Sequence, residues 1–359
     1  MLDTLWWKGV RNLAEQTLEV GPGIHRLTGP NGAGKTSVLE AVHILAAGRS
    51  FRTPQLRRVV TTGGEALWVG GQVHDPAGGV HRLGVAWDGM RRSRLDGRWM
   101  EGHAAVAEWL PVRVLHAGSF DLLTGTPDER RRLLDWGCFH AVRGYRSDWR
   151  RWKRAHDQRN AALRRGDRAA AREFERPWLE FGEAISESRN RYVQALKGRT
   201  QETAAIFGFQ SRLGDLDVSL RPGWNREWTL AEALERGRES DAERGFSQFG
   251  PQRADIEIRL DERLAAEASR GEQKRVVTTL VGGQARMLER ETGRGPVLLL
   301  DDVVSELDVE AVEGLMAGLG GTGWQILVTT VGEVIPGLNR NVEGQLFHVK
   351  HGQVEVAAS

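Results

Sequence analysis

The stretch GPNGAGKT, residues 29–36, decides the fold of this 359-residue chain. It matches the phosphate-binding pattern G-x-x-x-x-G-K-[ST] at every fixed position. Residues 24–28 before it have the character of a short buried strand. Residues 37–47 after it have the apolar spacing of a helix, which Gly48 is placed to end. Because strand, glycine loop and helix form the context that the pattern requires, we predict a P-loop nucleotide site.

The residues of this loop have separate predicted roles. Backbone N–H groups and the positive end of the helix surround phosphate oxygens, Lys35 reaches the outer phosphates, and the Thr36 hydroxyl ligates Mg²⁺. A glycine-rich turn that matches by chance is the alternative, and the two flanks disfavour it. The predicted nucleotide-binding residues are Gly29, Pro30, Asn31, Gly32, Ala33, Gly34, Lys35, Thr36 and Ser37.

Composition limits the compartment and the class of protein. A hydrophobic content of 40% and a charged content of 27% are typical of a soluble globular chain. No apolar run approaches the roughly 20 residues of a membrane span, and the segment MLDTLWWKGV lacks the apolar stretch of a secretory signal. Cys138 is the single cysteine, which excludes a disulfide framework and fits a reducing interior. We therefore expect a cytoplasmic protein with no membrane partner.

The order of patterns along the chain predicts an α/β protein with a helical insertion. Short strands and turns fill residues 1–120, including a hairpin at residues 91–100, and alternating or apolar strands return near the C-terminus. Between them, residues 128–207 are rich in Arg, Glu and Ala with helical spacing, and we predict a short antiparallel helical arm. The predicted division is an ATPase lobe of residues 1–120 and 276–359, and a helical lobe of residues 121–275.

A second part of the nucleotide site is predicted at VLLLDD, residues 297–302. A buried strand that ends in carboxylates lies beside the loop in P-loop proteins, and its first Asp holds the water shell of Mg²⁺. We assign that role to Asp301, and we assign Asp302 to orient or deprotonate the attacking water. The alternative is an ordinary buried strand that ends in acidic residues.

Residues 269–274, SRGEQK, precede an apolar-periodic helix. Ser269 followed by Glu272 has the spacing of a capping box, which is the structural alternative. The pattern S-x-G-x-Q also resembles the signature of ABC-type ATPases, in which one subunit presents this segment to the nucleotide of the other. That resemblance implies a signature acting in trans, formed by Ser269, Arg270, Gly271, Glu272 and Gln273, and a dimer-interface loop with Ser305 and Asp308.

Further stretches resemble the RecF family, recombination-mediator ATPases of bacterial DNA repair on the SMC-like branch. They are the pair Arg11-Asn12, GRSFR at 48–52, TGTPDERRRLLD at 124–135, GPQRAD at 250–255 and DDVVSELD at 301–308. The sequence departs from the family at residues 116–120 and at Gln252, which leaves local contacts in question. After the strand at 325–328 comes Thr329-Thr330, where transporters carry a histidine.

The resemblance implies a fold, cofactors and partners. The fold is an ABC-type ATPase head built from both chain ends, with Arg11 and Asn12 joining the nucleotide site. The ligands are ATP and Mg²⁺. The partners are DNA at gaps or duplex–single-strand junctions, RecR and RecO, and indirectly RecA, with an ATP-dependent homodimer as the active form.

Two clusters of arginine are candidates for DNA contact. The net charge of +2 permits nucleic-acid binding without requiring it, and arginine pairs well with phosphate oxygens. A solvated face balanced by acids is the alternative. The candidates are Arg49, Arg52, Arg57, Arg58, Arg91, Arg92 and Arg94.

Three functions are compatible with these motifs. The first is an ATP-gated DNA clamp with weak, DNA-stimulated hydrolysis, since Asp302 is shorter than the Glu of many relatives. The second is a transporter ATPase subunit, which Thr329-Thr330 and Arg11-Asn12 disfavour. The third is a scaffold in which ATP fixes a shape without hydrolysis, and a single-turnover phosphate-release assay separates it from an ATPase.

Overall fold

The computed structural model describes residues 1–75, 77–339 and 342–357. Its internal contacts divide the chain into two compact units. The first contains Met1–Phe120, Thr203–Arg212 and the C-terminal part from Val277, so both chain ends contribute to it. The second contains Asp121–Glu202 and Leu213–Val276.

The segment Thr203–Arg212 differs from our prediction, which placed it in the helical lobe. The reason is Phe207, a buried residue. A Cβ at Gly314 would lie 2.3 Å from its carbonyl oxygen, and a Cβ at Gly282 would lie 2.4 Å from its ring. Two glycines of the C-terminal part thus make room for Phe207 and hold this segment in the first unit.

The first unit contains an antiparallel sheet from the N-terminal part of the chain. Its strand order is β2-β1-β4-β5-β6-β7. The predicted hairpin across Asp96-Gly97 forms its last two strands, with Asp96 and Gly97 both in the left-handed region. The bounds are β1 Leu2–Lys8, β2 Gln16–Glu19, β4 Leu67–His74, β5 Val80–Trp87, β6 Arg91–Leu95 and β7 Arg98–Met100.

A second, largely parallel sheet combines strands from both ends of the chain. Its order is β15-β14-β3-β13-β12-β8, with only β15 antiparallel to its neighbour. The buried pattern of its central strands is typical of parallel strands covered on both faces. The bounds are β3 Ile24–Thr28, β8 Val112–Leu115, β12 Val297–Leu300, β13 Ile326–Thr330, β14 Leu346–Lys350 and β15 Gln353–Val356.

The helices of the first unit cover these sheets. Helix α1 contacts strands of both sheets, and its apolar residues join one hydrophobic core with them. Gly48 ends this helix in the left-handed conformation, as its position predicted. The bounds are α1 Lys35–Ala47, α2 Ala104–Ala107, α9 Val303–Glu306 and α10 Val309–Gly320.

The second unit is mainly helical. Trp152 and Trp178 are buried in it, whereas Trp149 is 37% exposed. The bounds are α3 Pro127–Ala141, α4 Tyr145–Arg164, α5 Arg168–Glu173, α6 Glu175–Ile206, α7 Leu230–Arg244 and α8 Arg270–Thr292, with strands β9 Leu216–Arg221, β10 Asp255–Leu260 and β11 Arg263–Leu264. Helices α6 and α8 run on into segments that belong to the first unit.

Two further observations concern the single cysteine and the character of the helices. Cys138 is buried, and burial raises the pKa of its thiol well above the ordinary value. Within the described residues, no helix combines the length and the apolar character needed to cross a bilayer.

Candidate nucleotide-binding site

The glycine loop connects β3 to α1, as the sequence predicts. Gly34 is the N-cap of α1 with φ of 118°, and no side chain caps the helix. The first turn also contains no acidic residue. The N-terminal N–H groups of α1 therefore keep their partial positive charge, which is the property that binds phosphate at helix N-termini.

Two glycines of the loop are required by close contacts. A Cβ at Gly29 would lie 2.2 Å from the Val349 carbonyl oxygen, and one at Gly34 would lie 2.9 Å from the Leu13 side chain. Both residues also have φ angles that other residues rarely adopt. The path of the loop is thus set by backbone geometry that only glycine satisfies.

Asn12 supports the loop from outside. Its side-chain amide donates to the Gly32 carbonyl at 2.9 Å, and its Oδ1 accepts from the Ser37 hydroxyl at 3.1 Å. One side chain therefore joins the middle of the loop to the first turn of α1. The structure places Asn12 at the nucleotide site in this supporting position.

Lys35 lies along the loop backbone. Its Nζ donates to the Gly29 carbonyl at 2.6 Å and to the Pro30 carbonyl at 3.1 Å. Partial burial lowers the pKa of this lysine, and the charges of Asp302 and Asp301 act in the opposite direction. The ammonium group is therefore within electrostatic reach of both carboxylates at the end of β12.

Thr36 and Asp301 meet through a direct hydrogen bond. The Thr36 hydroxyl donates to Asp301 Oδ1 at 2.8 Å, about the separation of neighbouring ligands on an octahedral Mg²⁺ with bonds of 2.0–2.1 Å. Burial raises the pKa of Asp301, and the hydroxyls of Thr36 and Thr329 oppose that rise. Among the described residues no group of three or more His, Cys, Asp and Glu side chains could hold a metal ion. An ion at Thr36 and Asp301 would therefore take its remaining ligands from phosphate and water.

Thr329 is a site residue that sequence reasoning missed. It belongs to β13, which lies between β12 and the loop strand β3. Its Thr329 hydroxyl donates to Asp301 Oδ1 at 3.0 Å and accepts the Asp302 N–H at 2.8 Å. A threonine near the carboxyl end of a parallel strand is a signal that could have identified it, because ligands bind at that edge of such sheets.

Asp302 has a left-handed backbone conformation. Its φ is 56°, in the left-handed region, and its side chain is exposed. The Ser305 hydroxyl donates to its Oδ1 at 2.8 Å. A strained residue of this kind costs on the order of 1–3 kcal/mol and is typical of functional sites. The predicted base is thus held in place by a backbone bond to Thr329 and a side-chain bond from Ser305.

Arg11 is held by Glu40, a second residue that sequence reasoning missed. Arg11 donates through Nε and a terminal nitrogen to the two oxygens of Glu40, at 3.0 and 2.8 Å, and also donates to the Arg58 carbonyl at 2.6 Å. Glu40 is fully buried, and it also accepts from the Ser50 hydroxyl at 2.5 Å. An acid in an otherwise apolar helix was the available signal.

The nucleotide-site residues line one pocket of the first unit, with a volume of about 870 Å³. Its volume is within the range of roughly 300–1,000 Å³ typical of small-molecule and cofactor sites. The pocket brings together the P-loop, Arg11 and Asn12, Asp301 and Asp302, and Thr329. Of the DNA-contact candidates, Arg52 and Arg58 also line it.

The signature residues lie in the second unit, at the start of α8. The backbone N–H of Ser269 donates to Glu272 at 2.8 Å, and the Glu272 N–H lies 3.4 Å from Ser269 Oγ. This is the capping-box arrangement, and the bonds with Ser269 lower the pKa of Glu272. Gln273 donates to the carbonyls of Ala266 and Ala268, both at 2.8 Å. The segment is therefore well ordered within its own chain, and its action in trans stays a prediction.

The remaining predicted residues lie at the surface of the first unit. Asp308 is the N-cap of α10 and accepts the Ala311 N–H at 2.9 Å. All seven DNA-contact arginines are exposed. Arg92 forms an ion pair with Asp88, and Arg94 donates to the Gly97 carbonyl at 2.8 Å. The structure leaves their role in DNA contact as a prediction.

Comparison with known proteins identifies relatives along the whole chain. The AAA domain family matches residues 6–64. The DNA replication and repair protein RecF of Chromohalobacter salexigens is 37% identical over 361 residues, which cover 98% of this chain and 99% of that protein. RecF of Pseudomonas aeruginosa strain LESB58 is 39% identical over 352 residues, covering 96% of this chain and 95% of its own length.

Solved structures show the same fold. The recombination mediator protein RecF-ATP in the RecFOR pathway matches with a TM-score of 0.86 at 23% identity, covering 99% of this chain and 97% of its own. The Smc head bound to the C-winged helix domain of ScpA matches with a TM-score of 0.56 at 15% identity, covering 99% and 96%. The predicted α/β head of the ABC-type ATPases is therefore confirmed. Because relatives at 37–39% identity cover nearly the full length of the chain, it belongs to the RecF family of DNA replication and repair proteins.

Proposed function

We propose that this chain is an ATP-dependent DNA-binding clamp of recombinational repair. The observation that carries the proposal is the cluster of Lys35, Thr36, Asp301 and Thr329 around a glycine loop at a free helix N-terminus. Family membership supports a role in DNA replication, repair and recombination in the cytoplasm, and the ABC-type fold supports ATPase activity.

ATP binding rests on the chain's own groups. The N–H groups of the loop donate hydrogen bonds to phosphate oxygens, and Lys35 neutralises the phosphate charge. Thr36 and Asp301 would hold Mg²⁺ with its water shell, and the ion would supply positive charge that stabilises the phosphates. The 2.8 Å spacing of their oxygens supports this assignment.

Hydrolysis needs a group that positions or deprotonates water. The exposed carboxylate of Asp302 is the proposed base, and the bonds from Ser305 and to Thr329 orient it. Its short side chain supports weak turnover, which DNA stimulates when the clamp closes. A non-hydrolysing scaffold would release no phosphate in a single-turnover assay.

The proposed active form is a two-fold homodimer. Each ATP is held by the P-loop of one subunit and by Ser269, Arg270, Gly271, Glu272 and Gln273 of the other, with Ser305 and Asp308 in the interface loop. The proposed clamp recognises gapped DNA and duplex–single-strand junctions. With RecR and RecO it promotes RecA loading, and ATP hydrolysis controls dimerisation and release.

The first test is nucleotide binding by Lys35→Met in titration calorimetry. Removing the phosphate-neutralising charge should abolish tight ATP binding, whereas Lys197→Met, at an exposed lysine paired with Asp217, should not change it. Wild-type affinity in the Lys35 variant would disprove the P-loop assignment.

The second test is sedimentation with ATP and gapped DNA. We expect an ATP-dependent dimer on the gapped DNA, and addition of RecR should increase its retention there. Because phosphate contacts release counterions, affinity should fall steeply with salt. Equal sedimentation with and without ATP would contradict the clamp.

The third test mixes two inactive variants, Lys35→Met and Ser269→Arg. In a trans arrangement their heterodimer has one doubly damaged site and one intact site. About half of the dimers are mixed at equal concentration, so up to about a quarter of wild-type ATPase should return if sites act independently. A crosslinked heterodimer that binds one ATP and closes, yet never hydrolyses it, would disprove the trans role of Ser269.

A further inference from the structure

The antiparallel sheet of the first unit has one face that α1 does not cover. Side chains alternate between faces along a strand. Leu5, Trp7, Val69 and Val85 point to the buried side and join the core with α1. The opposite side, here called the aromatic face, is formed by Trp6, Lys8, Trp68, Gly70, Arg82, Gly84, Ala86, Arg92, Arg94 and Trp99.

The strand register aligns these residues in two rows. One row runs Trp6, Gly70, Gly84, Arg94, Trp99 across five strands. The neighbouring row runs Lys8, Trp68, Ala86, Arg92. Each row thus contains a tryptophan that one or two small residues separate from an arginine.

Two glycines of the first row let neighbouring side chains lie close to the sheet. A Cβ at Gly70 would lie 2.3 Å from the Trp6 ring, so this ring lies over the backbone of β4. At Gly84 the nearest atom to such a Cβ is Arg94 Cβ at 3.6 Å. The Trp6 ring therefore covers Gly70, and the half-buried Gly84 separates it from Arg94.

The three tryptophans are unusually accessible for so large an apolar residue. Trp6, Trp68 and Trp99 are 40%, 36% and 53% exposed. Exposed aromatic surface that is grouped on one face marks an interaction site more often than scattered residues do. The guanidinium carbons of Arg92 and Arg94 lie over a Trp99 ring, 5.2 and 5.6 Å from its centre, so both cations are held against this tryptophan.

Charge on the face is concentrated beside Trp99. Arg82, Arg92 and Arg94 lie on β5 and β6, with Asp88 as the partner of Arg92. At the β1–β2 end of the face, Lys8 pairs with Glu15, and Glu19 lies on the edge strand β2. An occupant must therefore offer flat apolar surfaces along the rows and negative charge near β6.

We propose that the aromatic face binds single-stranded DNA. Unstacked bases lie on Trp6, Trp68 and Trp99, and the phosphates pair with Arg82, Arg92 and Arg94. The row from β1 to β7 spans about 19 Å, four strand spacings of about 4.8 Å, which accommodates a short segment of a few nucleotides. Stacking on aromatic side chains accepts any base, so the binding carries little sequence preference.

Single-stranded DNA fits this face better than duplex DNA does. The bases of a duplex are already stacked and paired, so a duplex offers only phosphates to the arginines and leaves the tryptophans without a role. The proposal deepens the proposed function by assigning the single-stranded part of a gap to this face. It rests on that function only in taking DNA as the substrate.

The test measures DNA binding by fluorescence anisotropy in the presence of ATP. The probes are an oligothymidylate of about 12 nucleotides, within the known site sizes of single-strand binders, an abasic strand of the same length, and a duplex. The variants are Trp6→Ala, Trp68→Ala and Trp99→Ala, with Trp149→Ala at the 37% exposed tryptophan of the second unit as the matched control.

Each of the three variants should bind oligothymidylate at least about fivefold more weakly, which corresponds to the loss of one stacked base. Binding to the abasic strand and to the duplex should not change, and the control should match wild type. Arg94→Gln should instead weaken all three probes and reduce the salt slope by about 1.

ATP binding by calorimetry verifies that each variant is folded. Tryptophan fluorescence of the wild-type protein, which needs no variant, should be quenched more by oligothymidylate than by the abasic strand. The proposal would be overturned if the tryptophan variants lost equal affinity for the thymidylate and abasic strands. It would also be overturned if they changed dimerisation and left DNA binding unchanged. If all tryptophan variants bind thymidylate like wild type while gapped DNA still recruits the dimer, this inference fails and the proposed function stands. If wild type binds no DNA with ATP, both fail.

Discussion

Replacing Thr329 with valine removes one hydroxyl that joins both carboxylate residues of the nucleotide site. That hydroxyl donates to Asp301 Oδ1 at 3.0 Å and accepts the Asp302 N–H at 2.8 Å. Thr329 is 2% exposed, so water cannot easily replace either bond. Valine has nearly the same shape, and the change therefore isolates the two hydrogen bonds.

The expected loss of stability follows from the Asp301 carboxylate and the Asp302 N–H, which both lose a hydrogen-bond partner. A hydrogen bond to a charged group contributes about 1.5–3 kcal/mol, and a buried N–H without a partner costs about 1–3 kcal/mol. Asp301 keeps its bond from Thr36, so the two contributions overlap. We expect the free energy of unfolding at neutral pH to fall by about 2–4 kcal/mol.

The rate of ATP hydrolysis should fall more than the affinity for ATP. The Asp302 backbone, at φ of 56°, loses the bond that holds it, and a small displacement of a catalytic group can cost up to about 100-fold in rate. The affinity for ATP should change little, because the loop and Lys35 are not altered. Urea unfolding and single-turnover phosphate release measure the two effects.

Thr329→Ser is the matched control, since it keeps the hydroxyl and removes only a methyl group, at a cost of about 1 kcal/mol. The serine variant should retain hydrolysis near the wild-type rate. A valine variant as stable and as active as the serine variant would show that the hydroxyl does not position Asp301 and Asp302.

Three further predictions concern acidic residues of the same site. Asp302→Asn should bind ATP normally and accumulate as a dimer on a sizing column, because only water activation is lost, and an ATP-bound monomer would contradict this. Burial raises the pKa of Asp301, so its ionised form destabilises the folded state at pH values above the folded-state pKa. This destabilisation disappears as the pH falls through the folded-state pKa toward the ordinary value of 3.8. At neutral pH, Asp301→Asn should therefore unfold at a urea concentration at least as high as that of wild type. Acidification should raise the free energy of unfolding less in the variant than in wild type. A larger rise in the variant would contradict this expectation. Glu40→Gln should lower the free energy of unfolding by about 1.5–3 kcal/mol, because Arg11 loses its charged partner; an unchanged urea midpoint would show that the pair is dispensable.

The part of the site that sequence alone could predict is encoded in contiguous residues. The loop at 29–36, the pair Asp301-Asp302 and the segment after Ser269 each follow a fixed local spacing. Thr329 and Glu40 were missed because their partners are 28 and 29 residues away, at distances that only the fold sets. The position of β13 between β12 and β3 could not be predicted for the same reason.

The aromatic face could not be predicted from the sequence for a related reason. Trp6, Trp68 and Trp99 come from three separate strands, and nothing in their sequence spacing indicates that they share a face. The register of the antiparallel sheet brings them together. A shift of one residue in any strand would turn its tryptophan to the opposite side.

The parallel sheet has a consequence for synthesis of the chain. Strand β3 ends at residue 28, but its neighbours β13 and β14 begin at residues 326 and 346. At about 5–20 residues per second, a ribosome needs about 15–60 s to produce the first of them. The strands β1, β2 and β4–β7, all within residues 2–100, can pair in that interval. Formation of the phosphate-binding loop between its proper neighbours is thereby delayed until β13 and β14 have been synthesised. A nascent chain cannot acquire its nucleotide before then, and a prematurely released one presents an unpaired apolar strand to chaperones and proteases.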